Sequence, residues 1–168
     1  MKTMKKNLIG YMPYLFVLLV GLMIAIILFT ACSKNNSYNG GDSAQTYTTS
    51  GNASGAQENP PNNSSGSGTL TGTYNASTNN WQYNINWSSL SSTATAVEVH
   101  GPASIGINGN LMFALTISTP GVNGNAYGNV NLTTQQEADF LAGKCYYTIL
   151  SATHITGEIR GQINASAK

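Results

Sequence analysis

The chain has 168 residues, of which only 7 are Lys or Arg and 6 are Asp or Glu. Its charged share of 8% falls well below the roughly 25% usual for soluble domains. Charge this sparse excludes a nucleic-acid binder built on a basic patch, and it excludes an acidic disordered tail. The length predicts one domain with one modest core.

Lys2, Lys5 and Lys6 precede Leu8–Ala31, a run of 24 residues without a charge. A positive segment followed by an apolar one is an export signal, so residues 1–31 are expected to direct the rest of the chain out of the cytoplasm. The run ends Leu28-Phe29-Thr30-Ala31-Cys32 and turns polar at Ser33. This resembles the lipobox of bacterial lipoproteins, with Phe29 where a Leu is usual. The resemblance implies cleavage before Cys32 and acylation of its thiol, and Ser33 rather than Asp at the next position implies sorting to the outer membrane. An uncleaved anchor is the alternative, since 24 uncharged residues suffice to span a bilayer. Cys145 is the other cysteine. With Cys32 lipidated no disulfide can form within the chain, and Cys145 is expected to be a buried apolar residue.

Residues 32–45 carry the modified cysteine and then almost no apolar content, and are expected to form a flexible tether. The β domain is expected over residues 46–168. A weak strand is predicted at Thr46–Ala53 and a loop at Asn59–Gly68, where Pro and Gly/Ser cluster. Thr69–Tyr74 and Trp81–Trp87 read as a hairpin around the turn Asn75–Asn80. In its second strand Trp81, Tyr83, Ile85 and Trp87 alternate with Gln82, Asn84 and Asn86, the strongest strand signal in the chain. Further strands are predicted at Ala96–His100, Leu111–Ser118, Cys145–Ser151 and Gly157–Asn164. In the second of these, Leu111, Phe113, Leu115 and Ile117 share one face. One short helix is predicted, with Thr134-Gln135-Gln136-Glu137 as its capping box and Gly143 as its stop. The expected fold is all-β, an antiparallel Greek-key-like β-sandwich with one short helix, preceded by a signal or anchor helix and the tether.

Three segments stand in order: Ser54-Gly55-Ala56-Gln57-Glu58-Asn59-Pro60-Pro61, then Val97-Glu98-Val99-His100-Gly101-Pro102-Ala103-Ser104-Ile105-Gly106-Ile107-Asn108-Gly109, then Gly157-Glu158-Ile159-Arg160-Gly161-Gln162-Ile163. Together with Phe140-Leu141-Ala142-Gly143-Lys144 and Tyr146 they resemble the CHRD domain family, named for the repeats of chordin, over roughly Tyr47 to Ile163. The resemblance implies a β-rich extracellular module without an established catalytic activity. It also shows departures. Glu98 replaces the first His of the family's His-x-His-Gly-Pro-Ala, and Leu150 stands where the family has a further His.

Glu58, Glu98, His100, Glu158 and Arg160 all fall within these motifs, a concentration in a chain so poor in charge. On strands, Glu98 and His100 share one face, and Glu158, Arg160 and Gln162 share another opposite Ile159 and Ile163. The cluster is read as structural, with Arg160 bridging carboxylates bidentately. The alternative is a metal-binding or hydrolytic site on Glu58, Glu98 and His100, residue types that ligate zinc or copper. His154 falls in a predicted turn and reads as solvated. Tyr146, away from the predicted core, reads as packed under the helix, with a contact to a protein or a carbohydrate as the alternative. No catalytic set and no cofactor are expected. The expected partners are the membrane, through lipid on Cys32, and an envelope protein or glycan.

Overall fold

A computed structural model describes residues 45–168; the expected signal, Cys32 and all of the tether but Gln45 lie outside the described residues. The strands are β1 (Thr46–Ser54), β2 (Ser67–Asn75), β3 (Asn80–Ser88), β4 (Ala94–His100), β5 (Leu111–Leu115), β6 (Gly124–Asn131), β7 (Tyr146–Ser151), β8 (Ile159–Gln162) and β9 (Asn164–Ala167). A 3-10 turn, Gly55–Gln57, follows β1, and the helix α1, Thr134–Leu141, precedes β7. Among the described residues no helix is long and apolar enough to cross a membrane.

Every ladder is antiparallel, and the strands run β5-β4-β7-β8-β1-β2-β3-β6, with β9 also on β1. β8 joins β1 through the single pair Ser54 and Arg160. Beyond Ile163 the chain leaves β7 and continues as β9 along β1. The path therefore curls into a near-barrel whose halves, β5-β4-β7-β8 and β1-β2-β3-β6, enclose one core, and Phe113 of β5 approaches Trp81 of β3 with ring centroids 6.5 Å apart.

The period-two pattern of β3 places its side chains as expected. Trp81 and Ile85 are wholly buried, Tyr83 and Trp87 nearly so, while Gln82, Asn84 and Asn86 are exposed. Trp81 is the centre of the core. Its indole N–H donates to the Thr49 hydroxyl at 3.0 Å, and its ring meets Tyr83 and Phe140 at 5.3 and 5.0 Å. Phe140 comes from α1, whose buried face closes one end of the core.

Four local readings change. The capping box is Thr133 with Gln136, one residue earlier than predicted, because both Thr133 and Thr134 satisfy the pattern and the chain turns at the first. Gly143 does stop the helix, at φ +68, and Lys144 and Gly143 donate back to Asp139 and Phe140. β5 ends at Leu115, and its register shifts opposite Val99 and His100, so Leu111 is 55% exposed while Met112 packs inward. β6 was not predicted at all; its Gly/Asn-rich sequence has little intrinsic strand preference and forms because β3 offers it a complete ladder.

Trp81→Ala is expected to cost about 3–5 kcal/mol in a urea titration, whereas Gln82→Ala, on the opposite face, should stay within about 0.5 kcal/mol.

Candidate functional site

Val97 and Val99 of β4 enter the core, so Glu98 and His100 point to the other side of the sheet. The register then sets Glu98 beside Thr148 and His100 beside Tyr146 on β7, and Thr148 beside Arg160 on β8. This outward face is not open to water: Tyr146, Thr148 and Arg160 are 4%, 3% and 2% exposed. Two loops cover it, residues 58–66 and 101–110, and they bind each other. Asn59 Nδ2 donates to the Gly106 carbonyl at 2.9 Å, and Asn108 Nδ2 donates to the Asn59 carbonyl at 2.8 Å.

Tyr146 is the middle of a stack. His100 lies against it with ring centroids 5.3 Å apart and planes 13° from parallel, and the Arg160 guanidinium carbon sits 3.4 Å from its ring centre. The Tyr146 hydroxyl accepts from the Gly109 N–H at 3.1 Å. Arg160 donates to Asn108 Oδ1 at 3.1 Å and to the Ile107 carbonyl at 2.8 Å. The buried cation thus holds the 101–110 loop against the sheet. His100 Nδ1 donates to the Gly109 carbonyl at 3.1 Å and its Nε2 lies 3.0 Å from Glu98 Oε2.

Glu58 approaches from the other loop, where its Oε1 accepts from the Thr148 hydroxyl at 2.6 Å. Gly157, at φ +135, passes so close that a Cβ there would lie 2.6 Å from both Glu58 Oε1 and the Thr148 hydroxyl. Between the loops opens a cleft of about 560 Å³ whose wall includes Glu58, His100, Asn108, Tyr146, Thr148 and His154. A neighbouring hollow of about 320 Å³ shares Glu58 and is bounded by Arg160 and Gln162.

The structure divides the predicted cluster. Glu58, Glu98, His100 and Arg160 surround the Tyr146 stack; Glu158 does not join them. It is wholly buried at a separate point, where Oε1 accepts from the Ser64 hydroxyl and the Ser91 N–H, both at 2.6 Å. Its Oε2 has no hydrogen bond and lies 3.6 Å from His154 Nδ1. The expectation that Arg160 bridges carboxylates is therefore corrected. Among the described residues it forms no ion pair, because its fork is spent on Asn108 and the Ile107 carbonyl. His154 is also not merely solvated, since Nδ1 lies 3.1 Å from the Ser91 hydroxyl and its ring borders the cleft. Among the described residues no three His, Cys, Asp or Glu side chains converge on a metal position, so Glu58, Glu98 and His100 are not gathered as ligands. Cys145 is buried, and burial, with Asp139 nearby, pushes its thiol up to about 12, out of the reactive range. Thr148, Asn108 and Gly109 fall in segments that carry the family resemblance, but the sequence assigns them no part in the site.

Burial raises the Glu58 carboxyl above its ordinary range, against the Thr148 hydrogen bond and the charges of Arg160 and His100. Burial pushes Glu158 in the same direction, but the polar groups of Ser151, Ser64 and Ser91 around it outweigh that and hold the carboxyl below its ordinary range. The two act on stability with opposite sign. Glu158, lowered on folding, stabilises the protein above the unfolded carboxylate pKa, and that contribution is lost as pH falls through the folded one. Glu58, raised on folding, destabilises the protein above its folded pKa and ceases to do so in acid. Melting temperatures measured from pH 3 to 8 should show Glu58→Gln more stable than wild type at neutral pH and equal to it in acid. Glu158→Gln should be less stable at neutral pH, with a shallower acid limb.

A family model for the CHRD domain matches residues 49–163. Comparisons with curated proteins and with solved structures return no match. The matched span begins within β1 and ends at Ile163, so it contains both loops, the cleft and the Tyr146 stack. The chain belongs to the CHRD domain family.

Proposed function

We propose that this chain is an extracytoplasmic binding module, held at the cell envelope by lipid on Cys32 and recognising its ligand in the cleft between the two loops. The observation that carries this reading is the cleft wall itself, in which His100, Tyr146 and Thr148 are fixed by hydrogen bonds and stacking before any ligand arrives. Preorganised polar groups around a concave site favour binding because little freedom remains to be lost. The anchor rests on the lysine cluster, the uncharged run and the small residues before Cys32, with outer-membrane sorting resting on Ser33. On this reading the module has no catalytic activity.

A metal-dependent or hydrolytic centre on Glu58, Glu98 and His100 is the second reading. The raised carboxyl of Glu58 on the cleft wall favours it, as general acids are tuned this way. Against it, Glu98 and the two ring nitrogens of His100 are already engaged, with each other and with Gly109, so a cation would have to displace those contacts.

Metal analysis of the purified, tag-free protein separates the two. Binding alone predicts less than about 0.1 equivalent of zinc or copper; stoichiometric metal that disappears in His100→Ala would establish the second reading. For the anchor, Cys32→Ala should abolish labelling by a fatty-acid probe and block leader cleavage, and normal processing of that variant would refute it.

A further inference from the structure

The two halves of the sheet differ in a property unrelated to the cleft. β1, β2, β3 and β6 contain no Asp, Glu, Lys, Arg or His. Their inward side chains build the core, and their outward ones are Ser, Thr, Asn and Gln with a single aromatic, Tyr127, which is 63% exposed. A protein surface ordinarily relies on charge for solubility, and this face has none.

The register makes the face an array rather than a scatter. Thr71 on β2 is opposite Asn84 on β3, which is opposite Tyr127 on β6. Beside this row runs a second, Thr73, Gln82 and Asn129. Neighbouring strands lie about 4.8 Å apart and outward residues of one strand about 7 Å apart, so the rows form a grid of hydrogen-bonding groups. Part of the grid orients itself: Asn86 Nδ2 donates to Asn84 Oδ1 at 3.3 Å, and Asn80 Nδ2 donates to Asn131 Oδ1 at 2.7 Å. The side chains of Thr71, Thr73 and Gln82 and the hydroxyl of Tyr127 have no such partner among the described residues. Two shallow depressions lie between β2 and β3, one of about 350 Å³ bordered by Thr71, Thr73 and Gln82 and one of about 160 Å³ bordered by Thr69 and Asn86.

Each feature narrows the ligand. Absence of charge disfavours phosphates, nucleic acid, anionic lipid headgroups and acidic or basic peptides, all of which are recognised by opposite charge. Tyr127 is the one large hydrophobic side chain exposed on these four strands, so the face is not an apolar docking patch. Hydroxyls and amides that both donate and accept match a partner rich in neutral hydroxyls. An exposed tyrosine at the end of a row offers a flat apolar surface for the C–H face of a sugar ring at small entropic cost. Across three strand spacings the grid extends roughly 14 Å, which suits a chain of sugars rather than a single one. We propose that the outward face of β1, β2, β3 and β6 is a binding surface for a neutral polysaccharide, distinct from the cleft.

Native gel electrophoresis of the mature protein through gels containing hydroxyethyl cellulose, xyloglucan, soluble β-glucan or glycol chitin tests this. At least one of these neutral polymers should retard migration. Asn84→Ala and Tyr127→Ala, both at exposed positions, should each weaken that retardation on the order of tenfold with unchanged melting temperature, while Lys168→Ala should leave it as in wild type. Migration unaffected by all four polymers overturns the proposal. So does retardation that survives Asn84→Ala and Tyr127→Ala but is lost in His100→Ala, which would place the sugar in the cleft. A concentration-dependent dimer abolished by Tyr127→Ala, without retardation by any polymer, would give the face to a second copy of the chain and equally overturn it.

Discussion

The burial of Arg160 is the constraint on which the rest of the site depends. A guanidinium at 2% exposure loses nearly all its hydration, a cost of several kcal/mol that geometry must offset. Its compensation comes from one place: Asn108 and the Ile107 carbonyl in front, the Tyr146 ring beneath, and the charge of Glu58 close by. A planar fork over an aromatic face is an arrangement that Arg makes and Lys does not. The same contacts that stabilise the cation fasten the 101–110 loop to the sheet, and that loop is one wall of the cleft. Stability of the charge and shape of the site are thus a single property.

This explains how a domain so poor in charge distributes the few it has. β8, which carries Arg160, lies on the seam between the halves of the sheet and shares a single ladder pair with β1. On one side of that seam, Arg160 is drawn under a loop and satisfied by neutral acceptors. On the other, from β1 to β6, the outward surface is hydroxyls and amides alone. Low charge in the composition is therefore not a uniform trait of the surface but a division of labour between two faces.

Much of the fold is legible in the sequence wherever a pattern is local. The alternation Trp81 to Trp87 both identifies β3 and assigns its faces, since period two requires no knowledge of a partner strand. The helix reads correctly from its capping residues and Gly143, with a one-residue ambiguity inherent in two adjacent threonines. β6 was illegible for the opposite reason: Gly124, Gly128 and three asparagines carry no strand preference, and only the ladder to β3 makes them a strand. The bulge opposite His100 was equally hidden, and with it the reversal of Leu111 and Met112.

The candidate site was half legible. Glu58, Glu98, His100 and Arg160 were found by their concentration in the recognised motifs. That they gather around Tyr146 depends on the register of β4, β7 and β8, which no single strand encodes. Parity along β8 placed Glu158 with Arg160, but Glu158 precedes the first residue of the strand, and its side chain turns away to Ser64 and Ser91. Asn108 and Thr148 lie in segments that carry the resemblance, but their role was hidden, because a neutral side chain in a loop or a strand is ordinary until a buried charge is found beside it.

The account rests on Arg160 acting through the loop, and a double-mutant cycle between Arg160→Ala and Asn108→Ala measures that directly by urea unfolding. Arg160→Ala alone should cost about 2–4 kcal/mol, the two changes should couple by at least about 1 kcal/mol, and amide exchange should quicken across residues 101–110. Additivity of the two changes within about 0.5 kcal/mol, with exchange in that loop unchanged, would contradict it.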